Sequence, residues 1–303
     1  MKRIVSISLG SSKRDKKVTT QFFGEEFEIE RIGTDGDKQK YRALVAELDG
    51  KVDAFGVGGL DVYLYAGVRR YVFKEAIWLM EGAKQTPYFD GSGLKHTLER
   101  ETVAYLDTNK LVDFKNSRVL LVSAVDRFGM AEALSSRAKS IVFGDFPFGL
   151  GLPVPLRSWH TAQKLARILL PIIVRLPIEV IYPTGKKQDE NTPKFGKLFA
   201  EADIIAGDFH LIRRYMPLNL QGKIVLTNTT TEADVAELTK RGVTKLITTT
   251  PVFDGRSFGT NVMEAVLFTI MGKLPDALTP DNYRAKLTEL NWKPGIQELN
   301  SKV

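Results

Sequence analysis

The chain has 303 residues, of which 43% are hydrophobic and 26% are charged, a composition typical of a folded protein with one large domain or two. It contains no cysteine, which excludes disulfides, thiolate nucleophiles and cysteine-ligated metal sites, and its three histidines lack the short spacing of a transition-metal site. The net charge is +7, but lysine and arginine are spread along the chain beside acidic residues, which favours a solvated basic surface.

The N-terminus, Met1 to Lys17, has no long apolar core and no small-residue cleavage site, which predicts a mature cytoplasmic protein. The most apolar stretch runs from Leu165 to Pro183, and charged residues and two prolines interrupt it. It therefore predicts a buried helix followed by a strand rather than a membrane span. We expect no membrane partner and no nucleic-acid partner.

Strands and helices alternate along the first third of the chain. The patterns predict strands at Arg3–Leu9 and Val52–Gly59, a short strand at Pro87–Gly91, and a pair of strands within Lys17–Gly33 that meet at Gly24. They predict helices at Lys38–Leu48, Val72–Lys84 and Leu94–Leu106. Such alternation is typical of an α/β unit with a mainly parallel sheet.

A polar, turn-rich segment at Leu106–Ser117 predicts a domain boundary, and a βαβ unit follows it at Arg118–Gly144. The irregular segment 146–157 is predicted to be a lid or a crossing loop, and three further strands end at Asp208, Asn228 and Pro251. The predicted fold class is α/β with two domains. Residues 1–114 form a smaller N-terminal α/β domain for substrate and catalysis, residues 115–275 a Rossmann-like doubly wound parallel sheet for nucleotide, and residues 276–303 a C-terminal helix and arm.

The turn after the strand at Arg118–Val122 occupies the place of a dinucleotide-binding turn. A helix entrance offers free N–H groups to a pyrophosphate, and Asp145, about 20 residues on, would accept a hydrogen bond from a ribose hydroxyl. The G-x-G-x-x-G pattern is missing, so a simple helix cap by Asp126 is the alternative. The predicted cofactor contacts in this turn and at later strand ends are Ser123, Asp126, Arg127, Phe128, Gly129, Asp145, Asn228 and Thr250.

The phrase Phe-Asp-Gly occurs twice, at Phe89–Gly91 and Phe253–Gly255, and each time it ends a strand and opens a helix. Asp90 and Lys95 would place an acid and a proton-active amine at the first helix entrance. The second combines glycines with an arginine that suits an anion, and a capped helix is the alternative. Its predicted cofactor contacts are Gly255, Arg256, Ser257, Gly259, Thr260 and Asn261. We expect both entrances to face one interdomain cleft.

Other strand ends supply the remaining candidates. His210 is the third predicted catalytic residue, as a general acid or base, although a lone histidine is more often structural. The predicted substrate contacts are Ser8, Ser11, Ser12, Asp61 and Arg213.

The motifs SAVDRFGMAEAL, GDFHLIRRYMP and FDGRSFGTNVMEA, with ISLGSSKRD and DGSGLK, resemble bacterial proteins labelled quinate 5-dehydrogenase over nearly the whole chain. The resemblance implies a catalytic domain, a nicotinamide-nucleotide domain, and hydride transfer between NAD(P) and a quinate- or shikimate-like acid. The Ser-x-Ser substrate motif of the wider family has a loose counterpart in Ser6 and Ser8, or in Ser11 and Ser12. The glycine-rich turn is replaced by residues 123–129.

The leading hypothesis is thus an NAD(P)-dependent oxidoreductase that uses NAD or NADP and a small acidic substrate, without a metal and with a homodimer as an option. One alternative is a non-catalytic nucleotide- or metabolite-binding sensor. Another is a transferase or ligase that uses a phosphorylated ligand.

Overall fold

A computed structural model describes residues 1–22, 24–67, 69–178, 191–250, 252–253, 256–272 and 278–301, with the backbone alone at 252–253 and 256–257. The described strands are β1 (Lys2–Ser8), β2 (Lys16–Phe22), β3 (Glu25–Gly33), β4 (Ala54–Gly58), β5 (Tyr63–Ala66), β6 (Arg69–Val72), β7 (Tyr88–Phe89), β8 (Arg118–Leu121), β9 (Ser140–Phe143), β10 (Ile204–Ala206), β11 (Ile224–Thr227), β12 (Lys245–Thr248), β13 (Val252–Phe253), β14 (Arg256–Ser257) and β15 (Gly295–Glu298).

The described α-helices are α1 (Lys38–Leu48), α2 (Lys74–Leu79), α3 (Ser92–Thr108), α4 (Phe128–Ser135), α5 (Trp159–Ile173), α6 (Gly196–Glu201), α7 (Phe209–Tyr215), α8 (Glu232–Lys240), α9 (Thr260–Met271) and α10 (Pro280–Glu289). Helix α1 has the predicted bounds, because Asp37 accepts a hydrogen bond from the Lys40 amide and caps its first turn. Helix α2 is shorter than the predicted Val72–Lys84, and the hairpin β5–β6 before it was not predicted.

Two large sheets organise the described residues. The first has the order β2-β3-β1-β4-β7, with β2 antiparallel and the other strands parallel. The second has the order β15-β12-β11-β10-β8-β9, with β15 antiparallel. The fold is therefore mixed α/β with two parallel sheets, and the predicted βαβ unit is confirmed as β8, α4 and β9.

The strand order of the second sheet differs from the predicted Rossmann-like order. Counted from β8 within that sheet, its parallel strands lie in the order 2-1-3-4-5, the flavodoxin-like arrangement rather than 3-2-1-4-5-6. The parallel strands of the first sheet follow the same 2-1-3-4 order. In both sheets the point where the order reverses, the switch point, lies between the first and third strands: β1 and β4 in one, β8 and β10 in the other.

Both sheets are buried on two faces, which is typical of parallel sheets. In β1, Ile4 and Val5 point to opposite sides and belong to separate apolar clusters. In β8, Leu120 and Leu121 do the same. Near-continuous aliphatic strands are thus explained by apolar layers on both sides of each sheet.

Within the described residues, the chain passes between the two sheets along α3, between β12 and α9, and between α10 and β15, and α5, which comes between β9 and β10 of the second sheet in sequence, packs on the first sheet. Helix α9 packs against β1, β4 and β7 of the first sheet, and α10 packs against α3. Residues 260–272 therefore lie on the first sheet, although the predicted limits assign them to the second domain. The limits 1–114, 115–275 and 276–303 stay a proposal.

Candidate functional site

The carboxyl ends of the two parallel sheets face each other across a narrow cleft. Lys95, near the start of α3, contacts Asp126 in the loop after β8, with Nζ and Oδ1 2.8 Å apart. Asn261, at the start of α9, donates to the Ser6 hydroxyl in β1 at 3.0 Å. Ligands of open α/β sheets bind at such edges, at the switch points. The two switch points of this protein meet in one place.

Lys95 is the centre of a buried ion cluster. Its Nζ lies 2.8 Å from Asp126 Oδ1 and 3.4 Å from Asp61 Oδ1, and the three side chains are only 11–16% exposed. Asp61 comes from the loop after β4, so the cluster joins three elements. Asp61 and Asp126 are also hydrogen-bonded to each other.

Arg127 also belongs to this ion cluster, and its side chain is only 4% exposed. Its Nη1 donates to Glu99 Oε1 at 2.9 Å and its Nη2 to Asp208 Oδ2 at 2.7 Å, while Nε lies 3.3 Å from Asp126 Oδ2. Glu99 is one helical turn beyond Lys95 on α3, which places both side chains on the same face. One guanidinium therefore links α3 to the loops after β8 and β10.

Burial and charge set the protonation of these groups. Burial raises the pKa of Asp61, and the attraction of Lys95 only partly opposes it. Burial would also raise the pKa of Asp126, but Lys95 and Arg127 outweigh it and hold that pKa below its usual range. Burial lowers the pKa of Lys95, yet Asp126 and Asp61 reverse the effect and raise it. The cluster thus holds a charged lysine, an ionised Asp126 and an Asp61 that keeps its proton well above its ordinary pKa.

The Asp90 carboxylate accepts hydrogen bonds from backbone amides around it. Its Oδ2 accepts from the amides of Val62 and Tyr63 at 2.6 and 2.8 Å, and its Oδ1 accepts from the Ser92 amide at 2.9 Å. These bonds fix the start of α3 and the hairpin after β4. Asp90 therefore holds the chain that carries Lys95 and Asp61.

The start of α3, which follows the first Phe-Asp-Gly phrase, is in contact with the start of α9. Gly91 has φ 88°, and a Cβ there would lie 2.6 Å from the Asn261 backbone nitrogen and 3.0 Å from Thr260 Cβ. Gly259 precedes α9 as its N-cap. Gly255 lies outside the described residues, and Arg256 and Ser257 are described only as backbone of β14.

In the predicted dinucleotide-binding turn, the Asp145 side chain binds the backbone amides. Asp145 Oδ1 accepts from the amides of Ala124 and Val125, both at 2.9 Å. These are N–H groups that a pyrophosphate would need, and a buried carboxylate already holds them. Ser123 accepts from the Asp126 amide at 3.4 Å, so the turn is also internally bonded.

Gly129 and Phe128 have packing roles in α4. A Cβ on Gly129 would lie 2.7 Å from the His96 carbonyl oxygen, so this glycine allows α3 and α4 to approach closely. The Phe128 ring packs on Trp159 with centroids 4.9 Å apart.

The loop after β10 forms the opposite wall. Asp208 accepts from the His210 amide at 2.9 Å and from Asn228 Nδ2 at 3.0 Å, and Thr250 donates to the Asn228 carbonyl at 2.9 Å. Burial lowers the pKa of His210, which keeps its imidazole neutral. Arg213 pairs with Glu237 and Asp234 of α8 at 3.2 and 3.7 Å.

The predicted serines line the end of β1. Ser8 Oγ accepts from the Gly10 amide and from Arg31 Nη2, both at 3.1 Å. Ser11 caps the 3₁₀ turn that follows, and the Ser12 amide donates to Asp35 at 2.8 Å.

A small cavity opens beside Lys95, with room for about one water molecule. Aromatic and charged side chains line it, among them Tyr63, Tyr65, Lys95, His96, Asp126 and Phe128. His96 stacks on Tyr65 with ring centroids 5.3 Å apart, and burial lowers its pKa to about 4. The predicted site residues include neither His96 nor the two tyrosines. Glu99 was also missed, although its spacing of four from Lys95 could have indicated it.

Two families match the chain. Residues 93–299 match the family described as "Domain of unknown function (DUF8754)", and the chain belongs to it. Residues 3–90 match the family described as "Domain of unknown function (DUF8753)". No curated protein matches the sequence.

Solved structures that match are solute-binding proteins. One is an ABC transporter periplasmic solute binding protein from Actinobacillus succinogenes 130z with bound D-allose, with 12% identity, 98% of each chain covered and a TM-score of 0.37. Another is GanP, a glucose-galactose binding protein from Geobacillus stearothermophilus, with 10% identity, 98% and 97% coverage and a TM-score of 0.39. A third is a 5-methylthioribose transporter solute binding protein from Thermotoga lettingae TMO, with 10% identity, 98% and 85% coverage and a TM-score of 0.38.

These findings correct the sequence interpretation. The resemblance to quinate and shikimate dehydrogenases, the oxidoreductase function and the NAD or NADP cofactor are wrong, because the families that match are of unknown function and the structures that match are described as binding proteins for sugars, not as dehydrogenases. The physical reason lies in the turn at Ser123–Asp126, where Asp145 occupies the amides intended for the cofactor. The cytoplasmic location is contradicted by the same comparison, because proteins described as periplasmic match. Among the described helices, none is long and apolar enough to cross a membrane.

Proposed function

We propose that this member of the DUF8754 family binds a small, polyhydroxylated metabolite in the cleft between the carboxyl ends of its two sheets, without catalysing a reaction on it. The observation that carries the proposal is the cluster of Lys95, Asp61 and Asp126 at the meeting of the two switch points. This is the position where open α/β sheets hold ligands.

The chemistry of the cluster suits hydroxyl groups, which both donate and accept hydrogen bonds. Lys95 is a donor, ionised Asp126 is an acceptor, and protonated Asp61 offers both. The rings of Tyr63, Tyr65 and Phe128 line the cavity beside Lys95, which has room for about one water molecule. A polyhydroxylated metabolite would therefore enter only when the edges of the two sheets move apart, and its carbon face would then pack against these rings. A few convergent polar groups within an aromatic wall are typical of small-molecule sites.

The charge balance favours a neutral ligand. The two buried cations, Lys95 and Arg127, face the carboxyls of Asp61, Glu99, Asp126 and Asp208, so the cluster has no surplus positive charge. An acidic ligand, as predicted from the sequence, is the competing proposal, and it needs a cation from outside the cluster. The homodimer and the domain limits also stay proposals, for light scattering and limited proteolysis to test.

The test is a ligand screen on the full-length protein by thermal shift and then calorimetric titration. Neutral aldoses and polyols, including D-allose, are compared with the matching sugar acids and with NAD and NADP. We expect a neutral hydroxylated compound to stabilise the fold, by about 2.7 kcal/mol at 100 times its Kd. Lys95→Met should then weaken binding roughly tenfold to a hundredfold, because a charge-assisted hydrogen bond of about 1.5–3 kcal/mol is lost.

The matched control is Lys197→Met, since the Lys197 side chain is 88% exposed on α6 and its carboxylate neighbour is Glu201, outside the cluster. It should leave the affinity unchanged. Stabilisation by sugar acids alone would support the acidic ligand instead. Equal binding by the Lys95 and Lys197 variants would refute the assignment of this cleft.

A further inference from the structure

One surface outside the proposed ligand site combines exposed aliphatic side chains with cations. It comprises the loop before α5 and the outer side of α5, and we call it the α5 face. Five large aliphatic side chains on it are 50–64% exposed: Leu150, Leu152, Val154, Ile168 and Ile172. Ile168 and Ile172 lie one turn apart on α5, and exposed apolar residues that lie together mark an interaction site more often than scattered ones do.

The orientation of α5 is fixed by its opposite side. Ala166 and Leu170 are buried in the apolar cluster of the first sheet, and Ala162 is buried in that of the second. Ile168 and Ile172 are one turn apart and face outward. The helix is therefore anchored by one side while the other presents a row of aliphatic groups.

The α5 face is also uniformly basic. From Leu150 to Ile178 the sequence contains four cations, Arg157, Lys164, Arg167 and Arg175, and no aspartate or glutamate. Lys164, Arg167 and Arg175 are exposed, and none of the described carboxylates forms an ion pair with them. Only Arg157 approaches an acid, Glu201, at 3.9 Å.

We propose that the α5 face docks on an anionic lipid surface, with α5 lying in the plane of the interface. Aliphatic groups that enter the acyl boundary, flanked by lysine and arginine at the level of the phosphates, are the features of interfacial helices. A second copy of the chain fits less well, because two faces with the same cations would meet. Protein hot spots are enriched in tryptophan, tyrosine and arginine rather than in leucine and valine. The proposal replaces the expectation of no membrane partner.

The test is co-sedimentation of the full-length protein with vesicles. Vesicles of equal parts phosphatidylglycerol and phosphatidylcholine are compared with vesicles of phosphatidylcholine alone. We expect binding to the anionic vesicles only, and its loss when salt rises from about 0.1 M to about 0.5 M, where charges are screened. The double variant Ile168→Asn/Ile172→Asn and the variant Arg167→Glu should each reduce binding at least about tenfold.

Matched controls separate the surface from general effects. Leu218→Asn removes an aliphatic side chain that is 79% exposed elsewhere, and Lys197→Glu reverses an exposed cation on α6. Both should bind as the wild type does, and circular dichroism verifies that every variant is folded. Absence of binding to anionic vesicles overturns the proposal, as does equal loss in the controls. Binding by this face to an acidic protein, with none to vesicles, would also overturn it.

Discussion

Replacement of Arg127 by methionine tests the buried cluster directly. The Arg127 side chain is 4% exposed and contacts three carboxylates, of which Glu99 is 1% and Asp208 is 18% exposed. Methionine fills most of the volume but leaves those carboxyls without their cation. Breaking a buried pair by removing one partner costs about 3–5 kcal/mol. The free energy of unfolding should fall by that amount, a large part of the roughly 5–15 kcal/mol of a typical domain.

The assay is urea unfolding followed by circular dichroism, with Arg118→Met as the matched control. Arg118 pairs with Asp203 at 2.8 Å, but its side chain is 51% exposed, so the loss should be within about 1 kcal/mol. The Arg127 defect should also shrink in acid. Burial already raises the pKa of Glu99, and without Arg127 this carboxyl is neutralised more easily.

A double-mutant cycle completes the test. Glu99→Gln together with Arg127→Met should cost less than the sum of the single changes, because the pair is removed as a unit. A loss below about 1 kcal/mol for Arg127→Met, equal to that of Arg118→Met, would refute the reasoning. Strict additivity of the two changes would refute it as well.

Two further changes probe the contact between the helix entrances. Glu264, which is 4% exposed, accepts from the Leu94 amide and the Tyr283 hydroxyl, and burial raises its pKa to about 7 from 4.5. Because the pKa of Glu264 is higher in the folded than in the unfolded protein, its contribution to the free energy of unfolding is fully present below pH 4.5. That contribution is lost as the pH rises through 7. Glu264→Gln should therefore stabilise the protein by roughly 2–3 kcal/mol at pH 9 and by almost nothing at pH 4, measured by urea unfolding; equal effects at both pH values would contradict the assignment. Gly91→Ala should lower the free energy of unfolding by roughly 2–4 kcal/mol, since it adds a clash with the Asn261 backbone to the strain of φ 88°. The control Gly24→Ala, at φ 83° with open space around it, should lower it by about 1 kcal/mol. Equal losses in the two variants would show that no close contact exists.

Local pattern was sufficient to predict much of the fold. The unit β8–α4–β9 and the bounds of α1 follow from short-range signals, namely aliphatic runs, a capping aspartate and helical spacing. The hairpin β5–β6 was not predicted, since its two strands have only four residues each and are too short for a clear alternation. The order of the strands within each sheet was not predicted either, since it depends on pairing between distant segments.

The sequence pattern named the residues of the Lys95 cluster but not the contacts between them. Lys95, Asp61 and Asp126 were all identified at strand ends or helix entrances, yet in separate roles, because their contact spans 31 and 34 residues of sequence. Glu99 resembled a solvated helix position, and only the fold brings Arg127, 28 residues away, against it. Asp145 had the spacing of a ribose ligand but caps a turn instead, since a carboxylate and a phosphate bind the same amides.

The return of α9 and α10 to the first sheet has a consequence for biosynthesis. The apolar side chains Ile4 and Phe89 share a cluster with Val262 and Val266, so a segment that begins at residue 260 of 303 covers a surface made by the first third of the polypeptide. During translation, which adds roughly 5–20 residues per second, that surface stays uncovered until α9 has left the ribosome. A nascent chain of this protein should therefore depend on chaperones until its synthesis is nearly finished, and a fragment that ends before residue 260 should aggregate rather than fold.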